Sequence, residues 1–443
     1  MINWLTDHPE IRSVTVAVAD LNGQARGKRM PAAFAEKAIK GGTRMPLSTL
    51  NVDIWGDDIE DSPLVFETGD RDGVLKPTDR GFLPMPWLDN PAALLPMWMF
   101  TDAGEAFEGD PRHGLANVLS RFAGRGWQVV AATELEFYLL DDSGAELAPA
   151  KSPRSGKSRL GGEVLSLRAL DAFDGFFTEL YDACETMGIP AETAISESGA
   201  GQYEINLSHG PALKVADDTW LFKLLVKGLA RRHGFAASFM AKPYPDWPGT
   251  GMHIHFSVVD EKGENVFNNG GKTGSDELLF AVGGCLAAMK DQTLIFAPHG
   301  NSYERLVPGA HAPTGIGWAY ENRTAAIRIP GGPPAARRIE HRVAGGDTNP
   351  YLMLAAVLGA AITGIEDKMV PPQPIKGNAY ARKLDRIPDD WAEAIDRFED
   401  SKILARIFSD ELIRNYVMTK RQELTSYAEL SPQERIDLYL ETV

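Results

Sequence analysis

Residues 13–20 read SVTVAVAD, an alternating apolar stretch that predicts a strand. Residues 31–40 follow as a short helix opened by Pro31, whose missing N–H costs nothing in a first turn. Between 62 and 100 prolines interrupt short apolar runs, the last being ALLPMWMF, which predicts further short strands. Together these elements describe a small α+β unit. Polar residues 101–110 come next, and Asp110-Pro111 supplies an N-cap and first-turn proline for a helix running to about 125. The pattern therefore divides the chain into domains at 1–103 and 104–443.

Beyond that boundary strand and helix patterns intermix, with strands at 128–140, 190–208 and 251–259 and helices at 171–187, 215–233 and 275–290. The Gly/Ser/Lys-rich stretch 151–162 reads as a surface loop. The longest apolar run, 352–365, is shorter than the ~18 residues of a membrane span and contains Gly359 and Gly364. It predicts a core helix, and no membrane partner is expected.

A length of 443 residues exceeds what one core usually serves, and 44% hydrophobic with 24% charged residues is ordinary globular composition. Against 61 Asp and Glu stand 45 Lys and Arg, a net charge of -16 with no basic stripe among aromatics, which argues against nucleic acid. The acidic excess suits a cationic substrate or metal ions, and equally a solubilising surface. Cys184 and Cys285, both in apolar helical pattern, are too few for a disulfide framework or zinc cluster and predict buried, reduced thiols. Asp7, Glu10 and Arg12 near the start leave no basic-then-apolar leader, so a cytoplasmic protein is expected.

In TELEFYLL, Glu134 and Glu136 are two apart, and a strand places both carboxylates on one face. Such a pair is either solvated or arranged around a cation. In ESGAGQYEINL, Glu197 and Glu204 flank a Gly-Ala-Gly turn that would draw two strand ends together. PGTGMHIHFS sets His253 and His255 on one strand face, a common metal arrangement and also a structural one. Six arginines lie between 305 and 342 (Arg305, Arg323, Arg328, Arg337, Arg338, Arg342), with Glu340 among them. Guanidinium forks match carboxylate and phosphate oxygens, and half of these six are expected to pair with protein carboxylates instead. Carboxylates, histidines and arginines together meet the needs of phosphoryl transfer, yet no GxxxxGK[ST] loop is present, so ATP would be held in another way.

ELEFYLL, GMHIHFS, NSYERLVPG, NRTAAIRIP, RRIEHR and TNPYLMLAAVL resemble the motifs of glutamine synthetases in the same order, and VADLNGQARGKRMP resembles that family's small β-grasp domain. The resemblance implies a β-grasp domain followed by a catalytic domain whose curved antiparallel sheet is flanked by helices. It implies Mg²⁺ or Mn²⁺ at two sites, one held by Glu136, Glu197 and Glu204, the other by Glu134, His253 and Glu340. By the same resemblance Arg305 and Arg342 clamp glutamate beside Gly249, Arg323 and Arg328 stabilise the transferring phosphoryl group, and Arg338, Ser257 and His255 approach ATP. A homo-oligomer of at least one hexameric ring is implied as well.

Several positions depart from the ammonia-using pattern. Pro248-Gly249 replaces an Asn-Gly pair, and His311 stands where an acidic residue takes the ammonium proton. NVDIWGDD occupies the ammonium-binding region, with Asp53 or Asp57 as stand-ins, and Trp55 or Trp247 as pocket walls. Tyr380 lies in only a loose likeness of the adenylylation sequence and reads as structural. The expected reaction is thus ATP-dependent joining of the glutamate γ-carboxylate to an organic primary amine, polyamine or monoamine, through γ-glutamyl phosphate, with ammonia-using glutamine synthetase as the alternative. Retention of every implied ligand argues against a silent homologue.

Overall fold

The computed structural model describes residues 2–144, 146–158, 161–307 and 312–443. In its N-terminal part, β1 (Ser13–Ala19), β2 (Ala25–Pro31), β3 (Thr43–Pro46), β4 (Asp72–Pro77), β5 (Leu83–Pro84) and β6 (Ala92–Phe100) form one sheet. Its order is β2-β1-β6-β4-β3, with β5 on β6 and β1 parallel to β6. Val14, Val16 and Val18 of β1 face a small core with Leu95, Met97 and Met99. Ala17 and Ala19, on the other face, join the main core with Leu21 and Leu94. Both faces of β1 are therefore covered, which is why its alternate positions are small apolar residues and not polar ones.

The second sheet comprises β7 (Gln128–Asp141), β8 (Ala148–Pro149), β9 (Ala191–Ser196), β10 (Gln202–Pro211), β11 (Ala236–Ser238), β12 (Met252–Val259), β13 (Trp318–Tyr320), β14 (Ile327–Ile329) and β15 (Ile339–His341). Its path is β13-β14-β15-β12-β7-β10-β9, with β8 and β11 added to β7. The expectation of a wholly antiparallel sheet needs one correction, because β13 and β14 pair in parallel. The chain doubles back between these three-residue strands, with Glu321 in the left-handed region (φ 54°).

Helices lie against this sheet. Asp110 caps Pro111–Ala123 as expected, accepting from the Arg112 N–H. The helix expected at 171–187 is two, Leu167–Asp171 and Asp174–Met187, the second ended by Gly188 at φ 65°. Pro350–Glu366 is buried from Pro350 to Ile365 and packs on Asp276–Ala288. A methyl on Gly364 would lie 2.2 Å from the Phe280 carbonyl oxygen, and one on Gly284 would lie 2.1 Å from that of Ala360. Glycine at both positions permits this close approach. Among the described residues no helix is long and apolar enough to cross a membrane.

Candidate active site

Five adjacent strands bring the chemistry together. Period-two alternation leaves Glu134 and Glu136 on the cleft side of β7 while Leu135 and Phe137 enter the core. Glu134 lies opposite His253 of β12, and Glu136 opposite Glu204 of β10. On the other side of β12, His255 is paired with Glu340 of β15, which is itself paired with Arg328 of β14. The turn after β9 returns Glu197 to the same face, its N–H donating to the Gln202 carbonyl at 2.9 Å.

Glu134 is bracketed by imidazoles, with Oε2 3.0 Å from His253 Nδ1 and Oε1 3.0 Å from His255 Nε2. Burial pushes its carboxyl up, but these two histidine hydrogen bonds outweigh burial and hold it well below the usual range. Donor atoms of Glu134, His253 and Glu340 all lie within 4.8 Å of one another, close enough for one ion. Glu340 is buried, with Arg342 on Oε1 and Arg328 Nη1 2.7 Å from Oε2. Burial again raises its carboxyl, and Arg342, then His253, His255 and Arg328, reverse the shift.

Glu204 and Glu136 behave differently. Burial, followed by repulsion from Glu134, Glu136 and Glu197, pushes Glu204 up to about 9. Burial and then Glu197 raise Glu136 to about 7, against the pull of Arg305, the Gly251 N–H and Arg342. A group of acids that the chain's own cations leave under-compensated is what a divalent ion with oxygen ligands would relieve.

Above this face, Glu136 Oε2 accepts from the Gly251 N–H at 2.8 Å and from Gln202 Nε2 at 3.2 Å. Gln202 Nε2 also reaches the Gly249 carbonyl at 3.0 Å, and the Tyr138 hydroxyl donates to that of Pro248 at 2.7 Å. The Pro248-Gly249 loop is thereby pinned to the sheet. Arg305, only 5% exposed, donates to the Val343 carbonyl at 2.8 Å, and a methyl on Gly249 would lie 2.7 Å from its Cγ.

Beside Glu134 opens a cavity of about 440 Å³, with His255, Ser257 and Arg338 in its wall. Arg338 Nε donates to His255 Nδ1 at 3.2 Å. Arg323 is exposed in the loop after β13, and its charge acts on Arg328. The six arginines divide otherwise than expected. Glu340 takes two, Arg328 and Arg342, while Arg337 is buried on the carbonyls of Pro330 and Gly271, each at 3.3 Å. Backbone oxygen, invisible in a sequence, absorbs the remaining expected pairing.

His311 lies outside the described residues. Asp53 is held by its loop and by the C-terminal part of the chain. Its Oδ1 accepts the N–H groups of Trp55, Gly56 and Asp57, and its Oδ2 accepts from Gln422 at 2.8 Å. Asp57 is exposed, and Trp55 is 37% exposed. Trp247 packs 4.4 Å from Tyr244, ring to ring, in a satellite apolar cluster. Tyr380 is half-exposed, with its hydroxyl in the field of Arg342 and Arg305.

Sequence reasoning overlooked Gln202 and Asn206. Asn206 lies opposite Glu134 and lines the cavity. Its signal was available, since it follows Glu204 by two on the same strand face.

The fold and this face define a class of protein, one that assembles carboxylates, histidines and arginines on one side of a sheet. Residues 108–439 match the model for the glutamine synthetase catalytic domain, and the chain belongs to the glutamine synthetase family of ligases. It is 32% identical to gamma-glutamylputrescine synthetase PuuA of Escherichia coli strain K12 over 441 residues, 99% of this chain and 93% of the relative. With the glutamine synthetase of Pyrococcus abyssi strain GE5 it shares 34% over 426 residues, 94% of this chain and 91% of that one. A solved GmaS/ADP complex superposes with a TM-score of 0.85 at 27% identity, covering 98% of each chain.

Proposed function

We propose that this ligase joins the γ-carboxylate of L-glutamate to an organic primary amine at the expense of ATP. Transfer of the terminal phosphoryl group gives ADP and γ-glutamyl phosphate. The amine nitrogen then bonds to the acyl carbon, phosphate leaves, and one amine proton passes to a base. The observation that carries this reading is the face on which Glu134, His253 and Glu340 converge beside a cavity walled by His255, Ser257 and Arg338.

Glu134, His253 and Glu340 would hold one Mg²⁺ or Mn²⁺, and Glu136, Glu197 and Glu204 another; bound there, the ions neutralise phosphate oxygens. Ser257, His255 and Arg338 orient the nucleotide from the cavity wall, and nucleotide use is supported by likeness to a solved GmaS/ADP complex. Arg305 and Arg342 bind glutamate beside Gly249, and Arg323 and Arg328 face the phosphoryl group. His311 takes the amine proton. Residues 1–103 form the β-grasp domain and 104–443 the catalytic domain, in a homo-oligomer of at least six subunits.

An organic acceptor is supported by likeness to a gamma-glutamylputrescine synthetase. The 34% identity with a Pyrococcus glutamine synthetase makes ammonium the second reading. ADP release with glutamate and a panel of ammonium, diamines, polyamines and monoamines decides between them. Turnover with ammonium equal to or above that with every organic amine would overturn the first reading.

A further inference from the structure

Arg305 ends a single helical turn that begins at Ser302, Ser302–Arg305. One turn has no stability of its own, so its position must come from its neighbours. Ser302 Oγ donates to Asp347 Oδ2 at 2.5 Å and accepts from the His299 N–H at 3.0 Å. Next to it, Asn301 clasps the Lys242 backbone, accepting from N–H at 2.8 Å and donating to the carbonyl at 2.9 Å. Asn301, Ser302, Arg305 and Asp347 are each 5% exposed or less.

Asp347 is an unusual anchor. Its Oδ1 is sealed from solvent without a hydrogen-bond partner, and a methyl on Gly345 would lie 2.3 Å from that oxygen. Burial raises its carboxyl, while Ser302, Lys223 and Arg305 pull it down. Arg305 in turn lies in the fields of two carboxylates, Glu136 and Asp347. Tolerating a half-satisfied buried acid is costly where an asparagine or a small apolar residue would pack more easily. Here the acid combines a charge facing Arg305 with an acceptor for the turn that carries it.

We propose that Asp347 and Ser302 are positioning residues for the glutamate site, fixing the Ser302–Arg305 turn so that the Arg305 guanidinium meets the substrate carboxylate in one orientation. This rests on the reading of Arg305 as a glutamate ligand. Both residues are buried behind the turn that carries Arg305, so the effect should appear in glutamate use and not in nucleotide use.

The test compares Asp347→Asn, Ser302→Ala, Ser302→Thr and Arg305→Ala in the full chain, with Mg²⁺ and the best amine saturating. Loss of a charge-assisted hydrogen bond should raise KM for glutamate about tenfold or more in Asp347→Asn and Ser302→Ala. KM for ATP should stay within about twofold, and Ser302→Thr, which keeps the hydroxyl, should restore glutamate KM. The Ser302→Ala/Asp347→Asn double variant should be little worse than Asp347→Asn, since both remove one linkage. If Asp347→Asn does not fold, the Ser302→Ala and Ser302→Thr pair decides. An unchanged glutamate KM in Ser302→Ala alongside a raised one in Arg305→Ala overturns this inference alone. An unchanged glutamate KM in Arg305→Ala overturns the glutamate reading together with it, and parallel losses for both substrates without rescue by threonine reduce the pair to a structural role and overturn the proposal.

Discussion

Metal binding should expel protons from this site, and the number can be worked from the carboxylates. With Glu204 raised to about 9 and Glu136 to about 7, at pH 7 the first keeps nearly one proton and the second about half. A divalent ion coordinates only the anions, so saturation with Mg²⁺ or Mn²⁺ at pH 7 should release about 1.5 protons per chain. At pH 10 the same binding should release only about 0.1. Calorimetric titration of the metal in two buffers of different ionisation enthalpy reads this number directly. Glu204→Gln should leave about 0.5 at pH 7, because Glu204 is already protonated and uncharged over the range in which Glu136 titrates. The sign for stability follows from the same shifts. A carboxyl that titrates above its ordinary 4.5 in the folded chain holds its proton after the unfolded chain has lost it, so metal-free stability should fall as pH rises from about 4.5 towards about 9. Saturating metal should flatten that decline in the thermal midpoint. Release below about 0.3 proton at pH 7, or release that does not change with pH, would refute the assignment of Glu204 and Glu136 as ion ligands.

Two further substitutions test the support around the site. Gly249→Ala would put a methyl 2.5 Å from the Ala241 carbonyl oxygen and 2.7 Å from Arg305 Cγ; glutamate kcat/KM should fall on the order of a hundredfold, as for a misplacement of about 1 Å, and an unchanged value would show that the loop has room to yield. Lys420→Met strands Glu423, since both side chains are fully buried and Lys420 Nζ lies 2.8 Å from Glu423 Oε2; denaturant unfolding should show a loss of about 3–5 kcal/mol, partly recovered by adding Glu423→Leu, and a loss under about 1 kcal/mol would contradict the buried-pair argument.

What was legible in the sequence is what repeats locally. Glu134 with Glu136, and His253 with His255, share strand faces because a strand's side chains alternate, and the glycines at 199 and 201 turn Glu204 back beside Glu136. The Asp53 turn was also local, since an aspartate accepting N–H groups two to four residues ahead is a common loop device. Its second oxygen, held by Gln422 from the far end of the chain, was not legible. The arginines were legible as a class and illegible one by one, for Arg305 and Arg337 end on carbonyls set by loop conformation. β1 shows the limit of pattern reading, because alanine suits either a second core or a lightly exposed face and only tertiary packing decides.

The segment that begins in β15 shows why the site cannot be separated from the N-terminal unit. In ten residues it supplies Glu340 beside His253, Arg342 against Glu340, Asp347 beneath the Arg305 turn, and Asn349. Asn349 caps the buried helix Pro350–Glu366 through Oδ1, while its Nδ2 donates to the Asp20 carbonyl at 2.9 Å in the turn after β1. That turn also receives Trp220 Nε1 on the Gly23 carbonyl, and Asn22 donates to buried Glu423 at 2.7 Å. Removing residues 1–103 would bare the apolar contacts of Ala17, Ala19 and Leu21 and unpair polar groups on three segments of the remainder. A buried donor without a partner costs ~1–3 kcal/mol, so several at once rival the whole margin of a domain. The boundary proposed at residue 103 therefore divides the chain by topology and not by stability, and the residue that caps the core helix is itself tied to the turn of the β1–β2 hairpin.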